Sequence, residues 1–231
     1  MTFKNNWEKT DSHTQVDDLT IQEIVKGSLP EKVLLSHSTI SGGCANLNIK
    51  LTFLNDPKPL ILRIYLRDPE AAYREQKLVT LINQAVPVPK YYQVGEVNGY
   101  RFALVEFISG ITLRDLLLKH PNIDMRAVMT EVGEKLAVIQ SFQFSHSGFF
   151  DRNLNLGSPI SSESYTSFVQ ESLVSPSVIQ QLGSEKITKL KKIVDKCSHL
   201  FPDESHAHLV HADFDPANIL VNKIGNQWKI S

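Results

Sequence analysis

Leu47-Asn-Ile-Lys-Leu-Thr-Phe53 alternates apolar and polar residues without a break, the period of a strand with one face in a core. Around it, Lys32-Val-Leu-Leu-Ser36 and Leu60-Ile-Leu-Arg-Ile-Tyr65 read as two further strands, the second entered through the turn cluster Asn55-Asp-Pro-Lys-Pro59. A short amphipathic segment with Leu19, Ile21, Ile24 and Val25 precedes them. Asp68 followed by Pro69 predicts an N-cap with proline at the first helical position. The resulting helix reaches about Ala85 and is stopped by Val86-Pro-Val-Pro89. Tyr91–Val94 and Tyr100–Phe107 are predicted strands joined by a turn at Asn98-Gly99.

Beyond Gly110 the period changes from two toward 3.6. Helical spacing predicts helices over Leu113–His120, Met125–Phe142, Tyr165–Leu173 and Glu185–Cys197. In the second of these, Met125, Val128, Met129, Val132, Leu136 and Ile139 trace one stripe. The Gly- and Ser-rich stretch Ser147–Ser164 reads as a loop. A last hairpin runs from Ile219–Asn222 through a turn at Gly225-Asn226 to Gln227–Ser231. The expected class is α+β, with a strand-rich front half and a helix-rich back half meeting between Phe107 and Gly110.

Composition narrows the function classes. A chain of 231 residues with 42% hydrophobic residues buries a core large enough for one big domain or two lobes. The net charge of −1 gives no electrostatic footprint for nucleic acid. No apolar run has bilayer length, so no membrane partner is expected. The amino terminus is polar, without the apolar centre of a signal peptide, and Cys44 and Cys197 are far apart and form no metal-type pair. A reduced, cytoplasmic setting is the expectation. Cys197 is expected to pack as an apolar helix residue.

Three local signals point to phosphate chemistry. Ser41-Gly42-Gly43-Cys44-Ala45-Asn46 is a glycine turn between two strands. Such a turn is an ordinary hairpin, or else a place where backbone N–H groups approach phosphate oxygens because no side chain intervenes. Arg63 lies in the middle of an apolar strand, where a cation is costly unless paired. Glu75 shares the stripe of Leu78, Val79 and Ile82 at i, i+3, i+4 and i+7, so its carboxylate is expected inward and paired with Arg63. The third signal is His211-Ala-Asp213-Phe-Asp-Pro-Ala-Asn218, which follows the apolar Leu209-Val210 and leads into Ile219-Leu-Val221. It has the H-x-D-x-x-x-x-N spacing of a kinase catalytic loop, in which the Asp accepts a hydroxyl proton and the Asn holds magnesium. His206-Ala-His208-Leu-Val-His211 has the look of a metal cluster, yet on a strand His211 points away from the other two and no Cys, Asp or Glu partner sits at a ligand-like interval elsewhere. His211 is instead expected to brace the catalytic turn through hydrogen bonds.

These residues, with Arg74-Glu-Gln76, Val86-Pro-Val-Pro89 and Leu104-Val-Glu-Phe-Ile-Ser-Gly110, resemble the aminoglycoside phosphotransferase family of small-molecule kinases, over roughly residues 36–231. The resemblance implies a two-lobed protein-kinase-like fold. Residues 1–107 would form the N-lobe, with the glycine turn, the Arg63 strand and the Glu75 helix. Residues 108–231 would form a partial helical C-lobe carrying the loop 211–218. It implies ATP and Mg²⁺ as cofactors and a small-molecule hydroxyl as substrate: an aminoglycoside-like compound, an amino alcohol or a sugar. Asp213 would be the base, Asn218 the metal ligand, Arg63 the phosphate-facing cation paired with Glu75, and Ser41–Asn46 the cover over the phosphates. Backbone groups of Glu106, Phe107 and Ile108 would bind adenine at the hinge.

Departures from protein kinases favour a small substrate over a peptide. Ala212 stands where those enzymes carry the Arg that senses a phosphorylated activation loop, and Asp215 stands where they carry a Lys. The family also implies a second metal-binding Asp a few residues past Trp228-Lys-Ile230. Ser231 is reached first, so an incomplete C-lobe and poor or absent transfer are expected for the chain as given. The competing expectation is a pseudokinase-like module that binds nucleotide or protein without catalysis.

Overall fold

The computed structural model describes residues 16–40, 46–120, 122–201 and 207–231. The chain forms two compact units. The first comprises residues 1–136, 152–154 and 212–231, and the second residues 137–151 and 155–211.

The first unit opens with helix α1 (Asp18–Ser28), capped by Asp17, whose carboxylate accepts from the Thr20 N–H at 2.7 Å. Strands β1 (Leu34–Ile40), β2 (Asn46–Phe53) and β3 (Asp56–Tyr65) follow as an antiparallel meander. Helix α2 (Ala71–Ile82) leads to the hairpin of β4 (Tyr91–Val97) and β5 (Tyr100–Glu106). The sheet order is β1-β2-β3-β5-β4. Period-two alternation sends Leu47, Ile49, Leu51 and Phe53 of β2, Leu60, Leu62 and Ile64 of β3, and Phe102 and Leu104 of β5 to one face. There they bury Ile21, Ile24 and Val25 of α1. The opposite face presents Tyr65, Ala103 and Val105 to Ala72 of α2.

Short β6 (Ile111–Thr112) then joins a second sheet of order β10-β9-β6, formed with β9 (Leu220–Ile224) and β10 (Gln227–Ile230). Thr112 caps helix α3 (Leu113–Lys119) by accepting from the Asp115 N–H at 3.0 Å. Leu113 and Leu116 pack with Val221 and with Val128 and Val132 of helix α4 (Arg126–Gln140). Residues 152–154 attach to α2: Arg152 pairs with Glu70 at 3.1 Å and its guanidinium lies 4.2 Å from the Tyr73 ring centre.

The second unit contains β7 (Gln143–Phe144) paired with β8 (Ala207–His208), and helices α5 (Ser162–Leu173), α6 (Pro176–Leu182) and α7 (Ser184–Cys197). His208 Nδ1 lies 2.6 Å from the Gln140 carbonyl, and Tyr165 stacks on Phe201 at 5.8 Å. No helix of the described residues is long and apolar enough to cross a membrane.

Several local expectations change. β1 runs to Ile40 rather than ending at Ser36, because pairing with β2 extends it through polar residues that an edge strand can leave in water. β3 begins at Asp56, so the turn is only Leu54-Asn55, with Asn55 at φ 60°. Pro57 and Pro59 fit there because β5 pairs with β3 only from Leu60. Asp68 does not cap α2: its carboxylate accepts from the N–H of Glu70, two residues on, and pairs with Arg74, so the helix starts at Ala71. Met129 is exposed while Val128 and Val132 are buried, since Met129 sits a hundred degrees round the helix from Val128. The seven-residue α6 was not expected, and α5 begins at Ser162, inside the predicted loop, with a Ser161/Ser164 capping box.

Candidate active site

Arg63 points to the α2 face because it alternates with the core residues Leu62 and Ile64. Across that face Glu75 Oε2 accepts from Arg63 Nη1 at 2.9 Å. The same oxygen accepts from Tyr65 and Tyr91, each hydroxyl at 2.6 Å. Arg63 Nη1 also lies 3.2 Å from the Tyr91 hydroxyl, and Arg63 Nε donates to Asn48 Oδ1 at 3.0 Å. Asn48 is the residue directly opposite Arg63 in the β2–β3 register. The Arg63 and Glu75 side chains are 31% and 32% exposed, so the cluster is dry on one side and open on the other. Burial works against the Arg63 charge, but Tyr91, Glu75 and Tyr65 outweigh it and hold the guanidinium more firmly protonated than usual. Burial, reinforced by neighbouring Tyr91 and Glu75, raises the Tyr65 phenol well above its ordinary value. Burial likewise raises Tyr91, against the opposing pull of Arg63.

In the same unit the stretch 212–218 is a tight turn. Ala212 adopts φ 65°, and Phe214 packs against the apolar cluster of Leu113, Val128 and Val221. The Asp215 carboxylate accepts from the Ala217 N–H at 2.8 Å and opens a 3-10 turn, Pro216–Asn218. Asn218 Nδ2 donates to Asp213 Oδ2 at 2.9 Å and to the Asp213 carbonyl at 3.0 Å. With the amide nitrogen so engaged, Asn218 Oδ1 is the atom left to face a cation, and the Asp213 carboxylate stands next to it in solvent. A neutral amide oxygen beside a carboxylate is a hard-oxygen donor set that fits magnesium. Among the described residues no three His, Cys, Asp or Glu side chains form a metal-binding group. His211 is exposed and belongs to the second unit, and Cys197 is a half-buried free thiol at the end of α7.

At the end of β5, the Glu106 N–H donates to the Lys90 carbonyl at 2.8 Å and its carboxylate accepts from the Lys90 N–H at 3.1 Å. The Phe107 ring lies 4.4 Å under Lys50 Nζ, and Ile108 is half-buried. Ser41, Gly42, Gly43, Cys44 and Ala45 lie outside the described residues, as does His206; Asn46 is the first residue of β2. Asn48, Tyr65 and Tyr91 were not among the expected site residues. Asn48 had a signal, being the strand partner of Arg63 once the Leu54-Asn55 hairpin is placed. Tyr91 had none, because it comes from β4, which is separated from β3 by β5.

No curated protein matches the chain. Among solved structures, it is similar to aminoglycoside phosphotransferase APH(4)-Ia, with a TM-score of 0.64 and 19% identity over 92% of this chain and 69% of that one. A thermostable mutant of that enzyme, in ternary complex with AMP-PNP and hygromycin B, gives 0.62 and 18% over 90% and 68%. Choline kinase from Cryptosporidium parvum Iowa II gives 0.56 and 17% over 93% and 63%. These likenesses show the protein-kinase-like fold, with its strand-rich and helical parts. The model of the phosphotransferase enzyme family matches residues 36–231, and the chain belongs to that family.

Proposed function

We propose that the chain carries the machinery of an ATP-dependent small-molecule kinase that moves the γ-phosphoryl group to a hydroxyl. The observation that carries this reading is the double hydrogen bond from Asn218 to Asp213, in a turn that leaves the carboxylate in solvent. Asp213 orients a substrate hydroxyl and takes its proton as the oxygen attacks phosphorus. Asn218 Oδ1 would hold magnesium, which when bound neutralises charge on the phosphates. Arg63, fixed by Glu75, supplies a second positive charge on the phosphates. The backbone of Glu106, Phe107 and Ile108 reads adenine, and residues 41–46 are the proposed phosphate-binding segment. In this functional division residues 1–107 hold the nucleotide, and residues 108–231 bring the base and the metal ligand.

The substrate class we favour is an aminoglycoside-like compound, an amino alcohol or a sugar. Hygromycin B accompanies AMP-PNP in one structural relative, and another relative is a choline kinase. The test is Mg-ATP consumption with a panel of hygromycin B, choline and simple sugars. Where the wild-type chain yields phosphorylated product, a loss of about a hundredfold or more is expected with Asp213→Asn, at unchanged AMP-PNP affinity. Product formation that survives Asp213→Asn would overturn the role of Asp213. The alternative reading is a non-catalytic nucleotide- or protein-binding module. AMP-PNP binding with no transfer to any hydroxyl would decide for it.

A further inference from the structure

We propose that Asn48, Tyr65 and Tyr91 are positioning residues that lock the Arg63 guanidinium in one orientation, leaving its second terminal nitrogen to donate to nucleotide phosphates. The proposal rests on the reading of Arg63 as the phosphate-facing cation. It follows from counting protons. The Arg63 fork has five N–H groups. Nε donates to Asn48, and Nη1 serves Glu75 and Tyr91. Nη2 makes no hydrogen bond to another described side chain, and the side chain is open on that side.

Each phenol has one proton, and both protons point at Glu75 Oε2 at 2.6 Å. The 3.3 Å approach of the two phenol oxygens therefore carries no proton between them. One carboxylate oxygen thus takes three donors from three strand positions, so Glu75 cannot swing away without breaking all three bonds. The network is specific to arginine. A lysine has no Nε–H for Asn48 and no planar fork to divide between Glu75 and a phosphate. The sheet makes the convergence possible, because the residue opposite Arg63 on β5 is Ala103. Its fully buried methyl group lets Tyr91 reach Glu75 from β4 across the α2 face. A network satisfied in this way is rigid, and rigidity before binding improves affinity by lowering the ordering cost.

The experiment is isothermal titration of the chain with AMP-PNP in Mg²⁺ and, separately, with adenosine, which lacks phosphates. Arg63→Ala is expected to weaken AMP-PNP by about tenfold or more, the loss of charge-assisted hydrogen bonds, and to leave adenosine unchanged. Tyr65→Phe/Tyr91→Phe is expected to weaken AMP-PNP by about fivefold with adenosine unchanged. In the Arg63→Ala background the same double change should have no effect on AMP-PNP. If Arg63→Ala weakens AMP-PNP and the phenol variant does not, the positioning role is wrong and the phosphate role of Arg63 stands. If Arg63→Ala itself has no effect on AMP-PNP, the phosphate reading fails and this inference falls with it. Should the double variant not fold, Tyr65→Phe, Tyr91→Phe and Asn48→Ala singly carry the same test. Equal weakening of AMP-PNP and adenosine by these variants would reduce them to structural residues and overturn the proposal.

Discussion

Asn218 donates both to the carboxylate of Asp213, at 2.9 Å, and to its backbone carbonyl, at 3.0 Å, so one amide sets the orientation of the acid and closes its turn. Three residues before Asn218, Asp215 receives the Ala217 N–H and sends the chain into Pro216–Asn218. The acid is therefore held by local bonds while its oxygen stays in water, the condition a general base needs.

Asn218→Ala removes both bonds and the amide oxygen proposed to hold the ion. AMP-PNP titration with and without Mg²⁺ should show a metal-dependent gain in the wild type. That gain should shrink by about tenfold in the variant, with metal-free affinity little changed. An unchanged magnesium effect would place the ion on other ligands.

Glu75→Ala leaves the Arg63 guanidinium partly buried without its carboxylate, and two phenols without their acceptor. Urea denaturation should show a loss of about 1–3 kcal/mol, the range for leaving buried hydrogen-bonding groups unsatisfied, moderated by the open side of the cluster.

Alkaline pH should act through the same cluster. Tyr65 and Tyr91 are held protonated in the fold above the ordinary phenol value of about 10. Above that value the unfolded chain binds fewer protons than the native one at these two sites, so stability falls as pH rises. Below it their contribution is complete and independent of pH. Denaturation midpoints should therefore stay level toward pH 10 as far as these groups are concerned, then drop. Tyr65→Phe/Tyr91→Phe should flatten the drop. In ultraviolet titration, two of the six tyrosines should ionise only as the chain unfolds.

Gly110 has φ 146°, and a methyl group there would stand 2.9 Å from the Val221 carbonyl oxygen. Gly110→Ala is expected to lose about 1–3 kcal/mol in urea denaturation from backbone strain and crowding. Gly133, in α4 with nothing within 4 Å of the added methyl, is the control. Gly133→Ala should be neutral or stabilising by up to about 1 kcal/mol.

What could be read along the chain is what short-range patterns encode. Alternation over 47–53 located β2 and its inward face, and Asn98-Gly99 located the β4–β5 turn, where both residues take positive φ. A cation inside an apolar strand and an acid on an apolar helix stripe foretold the contact of Arg63 with Glu75, because neither charge has a cheap alternative. The spacing from Asp213 to Asn218 foretold that they share a turn. All of these follow from the next few residues, since strand and helix periods and turn geometry are local properties of the backbone.

Tertiary structure decided the rest. Asp68 is as good an N-cap as Asp17 by residue type, and only the position of Arg74 and the turn bond to Glu70 turned it to another use. Met129 belongs to the stripe by spacing but is exposed, because burial depends on where Leu113 and Val221 lie and not on the helix alone. Tyr65, Tyr91 and Asn48 come to Arg63 and Glu75 from three strands whose order, β2-β3-β5-β4, departs from their order in the chain. The side chains that meet across a sheet depend on strand order and register. Those are settled by burying the whole core at once, which is why one oxygen of Glu75 with three donors could not be read from residues far apart in sequence.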